Sequence, residues 1–289
     1  MRKWFIKNGA FVEEDQLEIG LNNRAFNYAD GVFESLRAIN GKVWSLGTHL
    51  SRLKQGLDLY QIEYGDRLNE DTFRKQINLL LEKNYINNGG RIKVWGFRKD
   101  GGLYEPISNE LDYIVSVDKL ENNLFKVNEV GLHLGVYNLI PKNRDAFSHL
   151  KSISKEVNVL SRVYAKQNDF DDALLVNSEG NYIESSSSNL FVVIQGKIYT
   201  PPIKDGCVGG TMRMNVINAA IKSGYSIFES QINEDIMLEA EEVFLTNAVS
   251  GIQWVNRFKS KRYFRRVADV LVQELNRKAF DETMGYQSV

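Results

Sequence analysis

A lysine in a short apolar segment is the first residue of this sequence whose setting points to chemistry. Lys151 lies between Leu150 and Ile153, and serines alternate with these apolar residues. Apolar surroundings lower the pKa of a lysine and free its amine for Schiff-base chemistry with a carbonyl compound. Lys155 is a rival on the same segment, and most lysines carry a solvated ammonium group at the surface. Spacing alone therefore nominates Lys151 without excluding Lys155.

A carboxylate beside a run of small polar residues is the second candidate. Glu184 precedes Ser185–Ser188 and Asn189, and an apolar segment typical of a strand follows. A buried carboxylate here could hold a cationic ring nitrogen, and the small side chains would let a flat ligand approach closely. The same pattern is typical of an ordinary solvated turn, which the local sequence by itself favours.

Three further segments could bind phosphate. Gly209 and Gly210 lead into a predicted helix, whose first backbone N–H groups and dipole favour an anion, although the lysine of a P-loop is missing. Arg52 lies near the start of a predicted helix, and its planar guanidinium suits phosphate, although such arginines are usually solvated. The segment Thr246–Ala248 ends a predicted strand with small polar residues and could supply further donors.

Composition and charge limit the class of protein. Of the 289 residues, 43% are hydrophobic and 25% are charged, and the net charge of −1 lacks the basic excess typical of nucleic-acid binding. Apolar runs are too short to span a bilayer, and the first residues lack the apolar core of a signal peptide. The single cysteine excludes an internal disulfide, and the three histidines have no metal-ligand spacing. We therefore expect a cytoplasmic protein with no metal, membrane or nucleic-acid partner.

Hydrophobic periodicity predicts strands and helices in both halves of the chain. The N-terminal half contains a hairpin over Trp4–Val12, a hairpin about Asn40-Gly41, helices over His49–Tyr60 and Asp71–Lys83, and strands at Ile92–Phe97 and Tyr113–Val117. The C-terminal half contains strands at Val130–Leu134, Asp172–Val176, Asn189–Val193 and Glu242–Thr246, and helices over Lys155–Lys166, Thr211–Ser223, Asn233–Ala240 and Arg265–Phe280. We predict a two-lobed α/β (α+β) fold with a small N-terminal α/β domain over 1–118, a connection over 119–127 and a larger C-terminal domain over 128–289.

Six segments, taken in order, resemble the class IV, fold-type IV enzymes that use pyridoxal 5′-phosphate. This family includes branched-chain aminotransferases, D-amino acid aminotransferases and aminodeoxychorismate lyases. The segments lie between about Gly20 and Val255 and are Tyr28–Glu34, His49-x-x-Arg52-Leu53, Leu150–Ser152, Glu184–Phe191, Gly210–Arg213 and Thr246–Ala248. Each is weak by itself, whereas the ordered set is specific. The resemblance implies a D-amino acid aminotransferase-like fold, a cofactor bound largely by the C-terminal domain, and a homodimer.

The resemblance also implies roles for individual residues. Lys151, and not Lys155, matches the Schiff-base lysine, which is the catalytic residue that carries the substrate proton. Glu184 matches the carboxylate that pairs with the pyridine nitrogen, and Arg52 matches the arginine that binds the cofactor phosphate. The remaining phosphate contacts match backbone N–H groups of Thr211, Met212 and Ala248.

The loop after the predicted strand Ile92–Phe97 bears on the substrate. D-amino acid aminotransferases bind the substrate carboxylate there with an Arg-x-His pair, which Gly101–Pro106 lacks. Lyases resemble this loop in its Gly-Gly and Tyr-x-Pro, and they often place a catalytic threonine where Ser35 lies. Branched-chain enzymes share an arginine at Arg37. The candidate substrate contacts are Tyr28, Ser35, Arg37, Arg98 and Tyr104, with Arg144 as a further candidate carboxylate binder.

The predicted function is that of an aminotransferase of amino acid metabolism, which moves an amino group between a small amino acid and a 2-oxo acid. Lys151-Ser152, Asn158–Leu160 and the Glu184 segment look most like D-amino acid aminotransferases. The alternative is an aminodeoxychorismate lyase, which releases pyruvate. A third interpretation, from a different class, is a protein that binds pyridoxal phosphate without turnover.

Overall fold

The structure is a computed structural model that describes residues 2–284. The chain folds into two compact units. The first consists of the residues up to Leu124, the segment Leu150–Ser154 and the described residues from Ala279 onward, and the second consists of Phe125–His149 and Lys155–Lys278. The division into domains over 1–118 and 128–289 stays a prediction.

The first unit is built on a six-stranded antiparallel sheet. Its spatial order is β2-β1-β6-β5-β3-β4. The strands are β1 (Trp4–Lys7), β2 (Ala10–Glu13), β3 (Gly31–Ile39), β4 (Lys42–Val43), β5 (Gly90–Arg98) and β6 (Leu111–Lys119). The predicted hairpin about Asn40-Gly41 is confirmed, and both turn residues have positive φ, 51° and 68°, as the primed hairpin turns require.

Helices cover one face of this sheet and bury alternate residues of its strands. They are α2 (Leu46–Leu59) and α3 (Glu70–Lys83), whereas the short helix α1 (Arg24–Tyr28) buries only Arg24. The core contains Val32, Leu36, Leu53, Leu57, Phe73, Ile77, Ile92 and Val94, each no more than 2% exposed. Because side chains alternate along a strand, burial of Val32 and Leu36 turns Phe33 and Ser35 to the opposite face of β3.

The segment around Lys151 extends this sheet by a short antiparallel bridge. The backbone N–H of Phe33 donates to the carbonyl of Lys151 at 2.9 Å, and the N–H of Ile153 donates to the carbonyl of Gly31 at 3.0 Å. Val32 and Ser152 are the paired residues of the bridge. The backbone at Lys151 is therefore fixed to the start of β3 rather than left as a free loop.

The second unit is built on a nine-stranded mixed sheet. Its main path is β12-β11-β10-β13-β14-β7-β8-β9, β15 pairs with β14, and a pairing between β9 and β10 closes a cycle of strands. The strands are β7 (Leu132–Lys142), β8 (Asp172–Asn177), β9 (Tyr182–Ser185), β10 (Asn189–Ile194), β11 (Lys197–Thr200), β12 (Ile227–Glu229), β13 (Glu242–Asn247), β14 (Gly251–Phe258) and β15 (Lys261–Arg262). Closure brings the end of β9 beside the start of β10, where Glu184 and Asn189 are paired.

The remaining helices follow the predicted positions within a few residues. They are α4 (Glu156–Gln167), α5 (Thr211–Lys222), α6 (Glu234–Glu239) and α7 (Val267–Met284). The inner core of the second unit contains Leu174, Leu190, Val192, Val243, Leu245 and Val255, each no more than 1% exposed. The predicted α/β (α+β) fold class is confirmed. Within residues 2–284 we find no helix that is both long and apolar enough to cross a membrane.

The structure differs from the sequence-based elements mainly in the second unit, where β9, β11, β12, β14 and β15 are not among the predicted strands and β7 is longer than predicted. β7 runs to Lys142, whereas the predicted strand ends at Leu134. The last part of β7 contains the exposed residues Leu139 and Ile140 and then Pro141, so it lacks the alternation of buried and exposed residues by which a strand is predicted. The sequence does not predict β9, since this strand is only four residues long and ends in serine, a residue without strong strand preference.

We predict that Gly31→Ala destabilises the first unit. An added Cβ would lie 2.5 Å from the carbonyl oxygen of Gly96 and 2.8 Å from the Cα of Phe97, so β3 and β5 would have to separate. Such overpacking costs about 1–3 kcal/mol in the free energy of unfolding, measurable by urea denaturation. Gly20→Ala is the matched control, because its Cβ would meet nothing within 4 Å. Equal unfolding midpoints for the two variants would contradict this packing.

Candidate active site

The Lys151 side chain lies against an aromatic ring. Its Nζ is 4.7 Å from the centroid of the Phe33 ring. Leu150 and Ser152, its neighbours in the chain, are both buried. The bridge to β3 fixes the lysine backbone, so the amine swings on a four-carbon stem from a fixed origin. The Phe33 ring and Leu150 thus give Lys151 apolar neighbours, and its catalytic role stays a prediction.

A buried group of three charged or titratable side chains lies behind β3. Glu34 accepts hydrogen bonds from the Arg52 guanidinium at 2.6 and 2.7 Å and contacts the His49 Nδ1 at 2.7 Å. The side chains of Glu34, His49 and Arg52 are 2%, 3% and 11% exposed. Arg52 is therefore a largely buried residue inside α2, held by two bonds, and its phosphate-binding role stays a prediction.

Electrostatics within this group fix the charge of Glu34. Burial by itself would raise the pKa of Glu34, but the charges and hydrogen bonds of Arg52 and His49 outweigh it and lower the pKa to about 2. Burial lowers the pKa of His49, against the opposing pull of the Glu34 charge. At neutral pH the ion pair is therefore formed by Glu34 and Arg52, and its two hydrogen bonds orient the guanidinium.

Tyr28 and Tyr104, two of the candidate substrate residues, lie together. Their ring centroids are 5.6 Å apart with tilted planes. Both are exposed, Tyr104 more fully than Tyr28. Arg24 links the two segments, since its guanidinium lies 5.1 Å from the Tyr28 ring and donates to the carbonyl of Leu103 at 2.6 Å. The loop that carries Tyr104 is thus fastened to α1.

Arg98 and Arg37 have structural partners that occupy their guanidinium groups. Arg98 is buried and donates to the Asp30 carboxylate at 2.9 Å and to the carbonyl of Tyr60 at 2.5 Å. Arg37 is also buried and donates to backbone carbonyls of residues 122–124, and burial lowers its pKa to about 10. Arg144 contacts Glu179 and the carbonyl of Lys204. These contacts give the three arginines structural partners, and their binding of a substrate carboxylate stays a prediction.

Lys93 is a cation that the sequence reasoning missed. It lies opposite Ser35 in the β3–β5 register, and its Nζ is 5.0 Å from the Phe33 ring and 4.5 Å from the Trp95 ring. Burial, and then the charge of Arg91, lower its pKa. Strand alternation could have found it, because it places Phe33, Ser35 and Lys93 on one sheet face. The ammonium of Lys151 also contacts the Phe33 ring.

In the second unit, Glu184 is a buried strand residue and not part of a solvated turn. It lies in β9 with 3% exposure, opposite Leu175 of β8, which is fully buried. One carboxylate oxygen contacts the Lys142 Nζ at 2.5 Å and the other accepts from the backbone N–H of Val208 at 2.8 Å. The solvated-turn interpretation is therefore wrong, because the closing pairing of β9 with β10 buries this end of the strand.

The start of α5 is shaped by a glycine. Gly210 is the N-cap, no side chain caps the helix, and the first turn contains no acidic residue. A Cβ at Gly210 would lie 1.9 Å from the Asn189 Oδ1, so a larger residue there would displace the Asn189 side chain. Thr211 and Met212 are buried. Their position at the positive end of the helix dipole favours an anion.

Ala248 lies in a turn that the Asn247 side chain organises. The Asn247 Oδ1 accepts from the backbone N–H groups of Val249 and Ser250 at 3.0 and 2.8 Å. Its amide nitrogen donates to the Ser188 hydroxyl at 2.9 Å. The turn after β13 is thus joined to the serine run that follows Glu184.

Comparisons with known proteins identify the family of the chain. A family model described as amino-transferase class IV matches residues 31–258, so the chain belongs to the class IV aminotransferase family of pyridoxal 5′-phosphate-dependent enzymes. It is 26% identical to an aminodeoxychorismate lyase of Vibrio harveyi over 82% of this chain and 86% of that protein. It is 25% identical to a D-alanine aminotransferase of Bacillus licheniformis over 85% of this chain and 84% of that protein.

The fold is that of the fold-type IV branched-chain aminotransferases. The enzyme of Thermoproteus uzoniensis, solved with norvaline, superposes with a TM-score of 0.87 over 99% of this chain and 97% of that chain, at 20% identity. The predicted family, fold type and cofactor are confirmed. These relatives include both aminotransferases and a lyase, so membership of the family does not determine which of the two reactions the chain catalyses.

The residues present fit the cofactor at its ring and at its phosphate. Glu184 is a buried carboxylate with hydrogen-bond capacity left over, as a partner of a ring nitrogen requires. At the phosphate end, the Thr246 hydroxyl is buried and has no hydrogen-bond partner within residues 2–284. A buried donor without a partner is costly unless a ligand satisfies it. Thr246 precedes the turn that carries Ala248, and α5 begins with Thr211 and Met212.

We predict that Glu34 carries part of the acid stability of the protein. Its folded-state pKa is depressed from 4.5 to about 2, so its contribution is complete above about pH 4.5 and is lost as pH falls through 2. Glu34→Gln should lower the free energy of unfolding by about 3 kcal/mol at pH 7, because Arg52 is left buried without its counterion. The loss should shrink toward pH 3 in urea titrations.

The control for this prediction is Glu110→Gln. Glu110 pairs with Lys99 at 2.9 Å on the surface, where an ion pair contributes little to stability. We expect its unfolding curves to stay much closer to those of the parent than the Glu34→Gln curves do at neutral pH. A Glu34→Gln deficit that stays constant from pH 7 to pH 3 would show that the charge of Glu34 is not the stabilising property.

Proposed function

We propose that the chain is an aminotransferase that moves an amino group between a small amino acid and a 2-oxo acid. The observation that carries this choice is a contact of Asn158 with the segment after Glu184. The Asn158 amide donates to the carbonyl of Ser186 at 2.9 Å, which joins two segments that resemble D-amino acid aminotransferases. The fixed amine at Lys151 and the buried carboxylate at Glu184 supply the two groups that amino-group transfer requires.

Pyridoxal phosphate, when bound, supplies an electron-accepting ring for the charge that forms at the substrate Cα. Lys151 would hold the cofactor covalently. Once the substrate has displaced it, the Lys151 amine would accept the proton of the substrate Cα and return it to the cofactor carbon to which the lysine had been attached. The short bridge to β3 fixes the origin of this side chain. The amine that would carry the proton can therefore move only as far as the Lys151 side chain extends from its fixed backbone.

Glu184 would hold the proton of the ring nitrogen. Its carboxylate is buried, and an opposite charge in dry surroundings favours the protonated ring more strongly than it would in water. The N–H groups of Thr211, Met212 and Ala248, together with the Arg52 guanidinium, would bind the phosphate. The pairing of Arg52 with Glu34 fixes the orientation of the guanidinium within α2.

The second candidate function is an aminodeoxychorismate lyase. It is favoured by Ser35, which lies on the same face of β3 as Phe33 and opposite Lys93. Ser35 occupies the position where lyases often place a catalytic threonine hydroxyl, and a lyase would share proton removal by Lys151. Tyr28 and Tyr104 are candidate substrate contacts under both functions.

We further propose a cytoplasmic homodimer whose small-molecule partners are amino acids and 2-oxo acids. These proposals rest on the family resemblance and on the composition of the chain. Sedimentation equilibrium at micromolar concentration tests the dimer, and a monomeric mass would contradict it.

The experiment that separates the candidate functions uses the purified protein reconstituted with pyridoxal phosphate. It is mixed with a panel of D- and L-amino acids and with aminodeoxychorismate. Conversion of the cofactor spectrum to the aminated form by an amino acid supports the aminotransferase. Pyruvate release without this conversion supports the lyase. A spectrum that no compound changes would contradict both and favour binding without turnover.

We predict that Lys151→Ala abolishes covalent attachment of the cofactor and nearly all turnover. Lys155→Ala is the control, since this residue is the N-cap of α4, and both properties should survive the change. Borohydride reduction followed by peptide mass spectrometry locates the attachment. A cofactor adduct on any lysine other than Lys151 would remove the assignment.

We predict that Glu184→Gln retains the cofactor but loses proton abstraction. Glutamine keeps the shape and removes the charge, so the ring nitrogen becomes neutral and accepts electrons poorly. Exchange of the substrate Cα proton with solvent should slow by about 100-fold or more, since each 1.4 kcal/mol in the barrier is a factor of ten. Glu179→Gln, at an exposed glutamate of the same unit, is the control. Unchanged exchange in Glu184→Gln would place Glu184 outside the active site.

A further inference from the structure

Lys142 is a largely buried cation that neither the sequence reasoning nor the family resemblance singles out. It is the last residue of β7, at a register irregularity where it pairs with Asn177 of β8. Its Nζ lies 2.5 Å from a Glu184 oxygen and 3.3 Å from the carbonyl of Ser148. Its side chain is 11% exposed. The ammonium therefore points inward, onto the carboxylate that the proposed function assigns to the cofactor ring.

The Glu184 carboxylate is held at both oxygens by this chain. Lys142 contacts one oxygen, and the Val208 N–H donates to the other. Each carboxylate oxygen can accept two hydrogen bonds, so capacity remains for a ring nitrogen. The nearby Cys207 thiol carries no charge, because burial, followed by the charge of Glu184, raises its pKa to about 12.

A structural role accounts poorly for this pair. Two charges taken out of water lose solvation, and a buried ion pair often stabilises a fold no better than apolar residues of the same size. The surface pair of Lys259 with Glu234 has the same 2.5 Å distance, while its side chains are 49% and 44% exposed. The buried position of Lys142, rather than its distance from a carboxylate, thus distinguishes it.

We propose that Lys142 is a positioning residue that acts through Glu184 to keep the proton of the bound cofactor on its ring nitrogen. This inference rests on the proposed function. The ring nitrogen and the carboxylate share one proton, which can reside on either partner. A cation in contact with the carboxylate stabilises its negative form and leaves the proton on the nitrogen. Lys142 also fixes the carboxylate orientation together with the Val208 N–H.

The test uses holoenzyme reconstituted with pyridoxal phosphate labelled with nitrogen-15 in the ring. In the parent, the nitrogen resonance should have the position of a protonated ring. In Lys142→Met it should move toward the position of a neutral pyridine, and Cα proton exchange should slow by about tenfold or more. Lys142→Arg keeps the charge and should keep the protonated resonance. Lys259→Met, which removes the surface pair, should match the parent in both measurements.

Lys142→Gln provides a neutral variant that still donates a hydrogen bond, in case the methionine variant does not fold. A neutral-pyridine resonance in the glutamine variant supports the role of the charge. A resonance unchanged in a folded neutral variant, whatever its melting temperature, overturns the proposal and shows that Lys142 is structural or only fills space before the cofactor binds. A parent protein that forms no adduct on Lys151 after borohydride reduction overturns the proposed function itself, and this proposal with it.

Discussion

Buried carboxylates must be paired, and this constraint governs the candidate site residues within each of the two units. An ion removed from water loses several kcal/mol of solvation free energy, and a charged or hydrogen-bonding partner must offset this loss. Glu34 is compensated by Arg52 and His49, and Glu184 by Lys142 and a backbone N–H. Each pairing fixes a side chain that the proposed function uses. The first pairing orients Arg52, which we propose binds the phosphate, and the second orients Glu184, which we propose holds the ring nitrogen.

Backbone pairing likewise determines the position of Lys151, the proposed Schiff-base lysine. The alternation of β3 sends Val32 to the helix-covered core and Phe33 to the opposite face. The Lys151 segment pairs with this same stretch of strand, and the amine lies against the Phe33 ring. A buried core on one face of β3 thus determines which ring meets the lysine on the other.

The parts of the fold and site that follow from local patterns could be predicted from the sequence. Periodic apolar residues located most helices and strands, and the Asn40-Gly41 turn fixed a hairpin. The ordered motifs nominated Lys151 and Glu184. Burial of Glu184 could not be predicted, because it depends on the pairing of β9 with β10. Lys142 was missed for the same reason, since it reaches Glu184 only through the sheet.

A crystal structure of the protein grown with pyridoxal phosphate tests the central claim most directly. The account predicts electron density that is continuous from the Lys151 Nζ to the cofactor. It also predicts that the ring nitrogen lies within hydrogen-bond distance of the Glu184 carboxylate. Density joined to another lysine, or a ring nitrogen that faces a residue other than Glu184, would contradict it.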